Sequence, residues 1–181
     1  MTRGILLYGP PAAGKDTVTA ALTSCDMRFH LFRRIKCGPG RTDGYRMVDR
    51  LVCDRLTPSG CVIWQNSRYS ATYIIDRVGL RQSLASGWPV LHLGQPEAVD
   101  AVVAATPETH WLVLALWCPR DVANSRLQQR GSTDLQARLD AWDATPLLPP
   151  PATTLDTSMV TPVDAAHHII ASFNRHDASG G

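Results

Sequence analysis

Between Gly9 and Thr17 the chain reads Gly-Pro-Pro-Ala-Ala-Gly-Lys-Asp-Thr, with an apolar run before it and a helix-forming run after it. Two glycines with four residues between them permit a tight path that side chains would block. Along such a path successive backbone N–H groups, and the first turn of the following helix, converge on one point and suit an anionic phosphate. The geometry needs a buried strand ahead of the loop and a helix behind it. Residues 3–8 therefore read as a strand and 15–24 as its helix.

Every residue of this loop, Gly9, Pro10, Pro11, Ala12, Ala13, Gly14, Lys15, Asp16 and Thr17, is a candidate for holding the phosphates of ATP. Lys15 is placed to reach the β- and γ-phosphates and to follow the charge that develops on transfer. Where Ser or Thr ordinarily offers Mg²⁺ a hydroxyl, this chain has Asp16. A carboxylate is also a hard oxygen ligand, so Asp16 and Thr17 are the candidate metal ligands. The 18 basic residues comprise 16 Arg and only Lys15 and Lys36 as lysines, a bias that fits GC-rich coding and singles out Lys15.

The rest of the composition excludes more than it selects. A length of 181 residues suits one domain, read as 1–175 with a tail over 176–181. A net charge of +2 gives no electrostatic case for nucleic acid. No apolar run approaches the ~20 residues of a membrane span, and Gly4–Tyr8 is too short for a signal-peptide core. Five cysteines without a Cys-x-x-Cys pair read as reduced thiols, mostly buried, in a cytoplasmic protein.

Strand-like and helix-like stretches alternate, the pattern of a parallel α/β sheet. Residues 61–65, 88–93 and 111–117 read as strands, the last two as continuous apolar runs covered on both faces. Helices are expected at 50–56 behind Asp49, from Asp76 to Ser86, and at 96–105, 120–130 and 133–143. The proline run 149–151 reads as a loop to a last short strand and a helix near 163–173. Trp88, Trp111 and Trp117 bound strands and read as core, whereas Trp64 is placed near an acceptor pocket. His167 and His168 read as a helix surface, and His30 and His110 have no evident partner.

Two basic clusters lie outside the loop. Arg126, Arg130 and Arg138 fall on consecutive helices over 125–140, where a mobile lid could bring guanidinium groups onto a transferring phosphoryl group; a solvated helix face explains the same spacing. Arg33, Arg34, Lys36 and Arg41 precede Asp43-Gly44-Tyr45 within an insert over 28–75. They suggest a site for a small anionic acceptor, with Tyr45 and Tyr69 as hydroxyl donors, or else an exposed basic turn. Asp43 would be a candidate base for an alcohol acceptor.

The loop, Arg33-Arg34…Asp43-Gly44-x-x-Met47-Val48, Trp64…Tyr69, Arg126-Leu127-x-x-Arg130-Gly131 and Ala137-Arg138-Leu139 together resemble guanylate-kinase-like P-loop kinases over nearly the whole chain. The Gly-Lys-Asp-Thr ending and the Trp64 segment are most similar to ribose 1,5-bisphosphate phosphokinases of phosphonate metabolism. The resemblance implies a three-layer α/β fold of the nucleoside monophosphate kinase type, with five parallel strands and a helical lid. It also implies ATP-dependent phosphorylation of a ribose bisphosphate to phosphoribosyl pyrophosphate, with Mg²⁺. Guanylate kinases carry a Glu where this chain has Ile63, and strand-end acids where it reads Leu91-His92-Leu93-Gly94. Those departures point away from GMP, whereas Asp43-Gly44 is more guanylate-kinase-like; a guanylate or other nucleotide kinase, a specialised-metabolite kinase and a binding module without catalysis stay open as alternatives.

Overall fold

The computed structural model describes residues 2–150 and 152–178. Its centre is β1 (Thr2–Tyr8), whose residues Ile5 to Leu7 are fully buried. That strand pairs in parallel with β7 (Trp88–Leu93) on one side and β8 (Thr109–Trp117) on the other. β2 (Phe29–Leu31) and β9 (Thr153–Asp156) close the edges, giving the all-parallel order β2-β7-β1-β8-β9. From β1 the chain crosses to β2 on one side and, after β7, passes over β1 to β8 on the other. The strand order therefore reverses beside β1 and a crevice opens at the carboxyl ends there, where ligands of open α/β sheets bind.

Alternate residues of each central strand feed opposite layers. Ile5, Leu7, Leu114 and Leu116 pack under α1 (Lys15–Cys25) and α7 (Pro162–Ala178) with Val18, Leu22, Ile169 and Phe173. Leu6, Tyr8, Leu91 and Leu93 pack on the other face under α3 (Arg77–Ser86) and α4 (Pro96–Ala105) with Leu80, Leu84, Val99 and Val102. The anticipated five-stranded parallel sheet between helical layers is present. Asp76 caps α3, its carboxylate accepting from Gly79 N at 2.7 Å, and Asp49 caps α2 (Arg50–Leu56) through Val52 N at 2.8 Å.

A second, four-stranded sheet stands over the carboxyl end of the first, in the order β4-β3-β6-β5. β3 (Ile35–Cys37) pairs in parallel with β4 (Arg46–Met47), and antiparallel with β6 (Ala71–Asp76). The strand expected at 61–65 runs on as β5 (Val62–Arg68) and turns back directly into β6, which the sequence did not announce. Tyr69 and Ser70 make that turn, both at positive φ (53° and 58°). Neither is Gly, Asn or Asp, the residues that normally signal such a hairpin. The pair α5 (Arg120–Gln129) and α6 (Leu135–Asp143) follows β8. α7 extends to 178 rather than ending near 173, and the remainder of the tail, with Pro151, lies outside the described residues. Among the described residues no helix is long and apolar enough to cross a membrane.

Candidate functional site

The Gly9–Gly14 loop caps the crevice at the end of β1. Gly9 N donates to Leu93 O at 3.1 Å, and a Cβ on Gly9 would stand 2.1 Å from Leu116 O. With φ at 147° this position accepts only glycine. Ala12 also takes a left-handed backbone (φ 61°), which costs an L-residue about 1–2 kcal/mol. Gly14 is the left-handed N-cap of α1, and no side chain caps that first turn. The helix therefore presents its positive end to the cavity.

Lys15 folds back over the loop and donates to Gly9 O at 2.5 Å and Pro10 O at 2.8 Å. Burial pulls its ammonium down to about 8, with the neighbouring Asp16 acting in the opposite direction. A phosphate group replacing those two carbonyls would raise it again. Asp16 is held from both sides: His92 Nδ1 lies 3.4 Å from Oδ1 and Arg41 Nη1 donates to Oδ2 at 2.7 Å. Hydrogen bonding from His92 and Arg41 keeps its carboxyl well below the usual carboxylate range, against burial. Thr17 is placed differently from expectation. Its hydroxyl donates to Gly14 O at 2.8 Å, and its exposed side chain does not line the cavity, which leaves Asp16 as the one of the two that offers the cavity an oxygen.

One cavity of about 530 Å³ joins this loop to the second sheet and to α6. Its walls carry Lys15, Arg34, Lys36, Arg41, Arg68, Arg130 and Arg138 against the carboxylates Asp16, Asp43 and Asp134. Seven cations facing three anions around one cleft attract polyanions. Lys36 is 1% exposed; its Nζ donates to Arg41 O at 2.7 Å and sits 5.4 Å and 5.6 Å from the Tyr45 and Tyr73 ring centroids. Arg34 lies 5.8 Å and 5.4 Å from the same two rings. Arg138 is bound to Asp134 at 2.5 Å and lies 4.9 Å from the Tyr69 ring, so α6 meets the β5–β6 turn.

Two polar atoms in this wall, Tyr69 Oη and Asn66 Oδ1, are buried without a hydrogen-bond partner among the described residues. Burial also raises the Tyr69 phenol, so it stays a donor. Gln95, with its amide oxygen turned toward β5, accepts from Asn66 and from Arg68, each at 3.2 Å. Buried polar groups are rarely left unmatched, and these two point to a ligand with hydroxyl or phosphate oxygens.

Several anticipated site residues lie elsewhere. Arg126 does not reach the cavity: it donates to Ala12 O at 3.0 Å, Thr157 Oγ1 at 3.0 Å and Thr157 O at 2.8 Å, bracing the loop from behind. Arg33 is exposed and donates to Tyr45 O at 3.2 Å, so it supports the Tyr45 backbone. Trp64 packs with Ile63 against the α3–α4 layer rather than lining the pocket: it shares a strand face with Asn66 and Arg68 but lies at the start of β5, beside the bulge between Val62 and Trp64, where that face meets the core. Asp43 lines the cavity but is 91% exposed and sits 3.5 Å from Arg41. Pro10 contributes its carbonyl to Lys15, while its ring faces a separate shallow groove beside Trp117 and Trp142. Trp117 accordingly borders that groove instead of the deep core. His30 does have a partner, Ser83 Oγ at 2.7 Å. His167 and His168 are exposed on α7.

The residues that sequence reasoning missed are His92, Arg68, Asn66 and Tyr73. His92 could have been found: it is the one polar side chain in Trp88–Leu93, near the carboxyl end of a parallel strand. Burial pushes its imidazole below the ordinary value, and Thr19 Oγ1 at 2.7 Å from Nε2 suits a neutral ring with its proton on Nδ1, toward Asp16.

No protein-family model matches the chain, and no curated protein matches it in sequence. Solved structures do match. Guanylate kinase from Anaplasma phagocytophilum aligns with a TM-score of 0.64 at 15% identity, covering 97% of this chain and 86% of that one. A sugar kinase from Janibacter sp., in unliganded form, aligns with a TM-score of 0.54 at 16% identity and covers 94% of both chains. The chain shares the fold of these two kinases.

Proposed function

We propose that this protein is a magnesium- and ATP-dependent kinase that transfers the γ-phosphoryl group to a small, already phosphorylated acceptor of the ribose 1,5-bisphosphate type. The observation that carries this reading is the cavity itself: the phosphate-loop lysine and six further cations open into one space of about 530 Å³. A nucleobase acceptor fits less well. Ile63, where guanylate kinases have their base-reading Glu, is packed against core, and the Tyr45 and Tyr73 rings are engaged by Arg34, Lys36 and each other.

In this mechanism the loop amides and the α1 N-terminus bind the β-phosphate, and Lys15 leaves Gly9 O and Pro10 O to span the β- and γ-phosphates. The donor set suits a magnesium ion, since Asp16 supplies one hard oxygen and such ions take the rest from phosphates and water. Bound there, the ion neutralises charge across the transferring phosphates. Arg130 and Arg138 stabilise charge on the equatorial oxygens, while Arg34, Lys36 and Arg68 anchor the acceptor anions. Tyr69 Oη and Asn66 Oδ1 receive its remaining polar groups. A phosphate acceptor is already an anionic nucleophile, so no general base is needed; the α5–α6 pair excludes water.

The test is ADP release on a panel containing ribose 1,5-bisphosphate, GMP and other nucleotides, with phosphorus NMR of the product. A new pyrophosphate linkage on the ribose substrate, lost in Lys15→Ala without loss of folding, supports the reading. Equal turnover in Lys15→Ala, or ATP binding with no transfer to any acceptor, sinks it; the second result would favour a binding module.

A further inference from the structure

Asp16 is gripped by two partners of different character. His92 is a fixed arm: it sits on β7, is 11% exposed, and is tied at its far nitrogen to Thr19 of α1. Arg41 is a movable one. It stands on the loop between β3 and β4, is 50% exposed, and divides its guanidinium between Asp16 at 2.7 Å, the Asp43 carboxylate at 3.5 Å and, through Nε, Asp43 O at 3.1 Å, both Asp43 contacts lying on its own loop. The Arg41 backbone, by contrast, is anchored, because buried Lys36 donates to its carbonyl at 2.7 Å. The side chain can therefore swing while the loop stays in place. It faces the same cavity as Arg34 and Arg68.

Under the kinase reading, on which this inference rests, Asp16 has a second claimant. A carboxylate oxygen cannot serve a guanidinium and a divalent cation equally well. An ion pair this exposed is weak in water, and a divalent ion carrying the nucleotide phosphates outcompetes it.

We propose that the Arg41–Asp16 ion pair is exchanged during binding. Metal–nucleotide takes Asp16, and the freed Arg41 guanidinium turns to an anionic group of the acceptor. Each substrate then removes a competitor of the other, and the two bind synergistically; linkage requires the effect to be equal in both directions. His92 keeps Asp16 in place throughout, which is why a neutral, buried imidazole suits that strand end.

Arg41→Gln gives the proposal a sign that a merely structural arginine would not. Removing a cation near phosphates ordinarily weakens nucleotide binding. Here it should tighten binding of ADP with magnesium by about two- to five-fold, the worth of an exposed pair, and leave ADP in EDTA unchanged or weaker. In an Asp16→Asn background the same substitution should no longer tighten it. Calorimetry on the full chain reads all three, and thermal melts confirm folding. The second arm titrates ribose 1,5-bisphosphate with and without saturating magnesium–ADP: the wild type should gain affinity from the nucleotide, and Arg41→Gln should lose that gain. Weaker magnesium–ADP binding in Arg41→Gln, or tightening that persists in Asp16→Asn, overturns the exchange. Absence of any nucleotide binding by the wild type would instead overturn the kinase reading. If ribose 1,5-bisphosphate fails to bind, the acceptor assignment falls and the nucleotide arm alone decides the exchange.

Discussion

Arg126→Ala separates two roles that one arginine in this region could have. In the structure its guanidinium makes three hydrogen bonds, to Ala12 O, Thr157 Oγ1 and Thr157 O. Hydrogen bonds to a charged group contribute roughly 1.5–3 kcal/mol each, but Arg126 is half-buried and water can reach part of the vacated space. The loss should be about 2–4 kcal/mol. For a chain of this size 1 kcal/mol moves the melting point by about 2–4 °C, so Tm should fall by roughly 4–16 °C. Calorimetry with and without nucleotide measures this directly. Arg130, exposed at the end of α5, is the contrast: Arg130→Ala should leave Tm within about 2 °C and lower kcat by about a thousandfold, as for an arginine acting on a phosphoryl group. If Arg126→Ala instead leaves Tm unchanged and abolishes turnover, the bracing role is wrong and Arg126 acts on the phosphoryl group.

Gly9→Ala should destabilise the protein by about 2–5 kcal/mol and weaken ATP binding, since its Cβ would meet the Leu116 carbonyl at 2.1 Å; a fully stable variant in denaturant titration refutes this. Tyr69→Phe should keep or raise stability, because the buried phenol oxygen has no hydrogen-bond partner among the described residues, yet weaken acceptor binding; unchanged acceptor affinity counts against the site. Lys15 gives a pH signature. Its folded value near 8 lies below the ordinary 10.5, so the unfolded chain holds more protons between them and stability rises with pH across that window. Phosphate binding reverses the depression, so ADP binding at pH 9 should take up about one proton, absent in Lys15→Ala, as read by calorimetry in buffers of different ionisation enthalpy.

What was legible in the sequence was local. Two glycines, a lysine and the flanking periodicities specify β1, the loop and α1, and Asp49 and Asp76 mark their helices because a cap is a contact across three residues. The hidden parts depend on distance along the chain. Arg126 and Arg130 are one helical turn apart and look equivalent, yet Thr157 lies against the first and open cavity against the second. β6 was missed because Tyr69-Ser70 carries no turn signal; its left-handed backbone shows only in three dimensions. Trp64 was misplaced because it shares a strand face with the cavity-lining Asn66 and Arg68, and how far along β5 the cavity reaches shows only in three dimensions.

Thr157 bears on how far the phosphate loop can be treated as a transferable cassette. Its buried hydroxyl lies 3.1 Å from Ala13 O, 3.2 Å from Trp117 O and 3.0 Å from Arg126 Nη1. One small side chain thus joins the loop, the end of β8, helix α5 and the turn after β9. Grafting Gly9–Thr17 onto another scaffold would carry the motif but leave behind the residues at 126 and 157 that hold its shape. Conversely, a tilt of α5 would be felt at the Ala12 carbonyl without any ligand in between. Heredity of the nine-residue signature is therefore a poor guide to heredity of its conformation: the unit that travels intact includes two residues more than a hundred positions away.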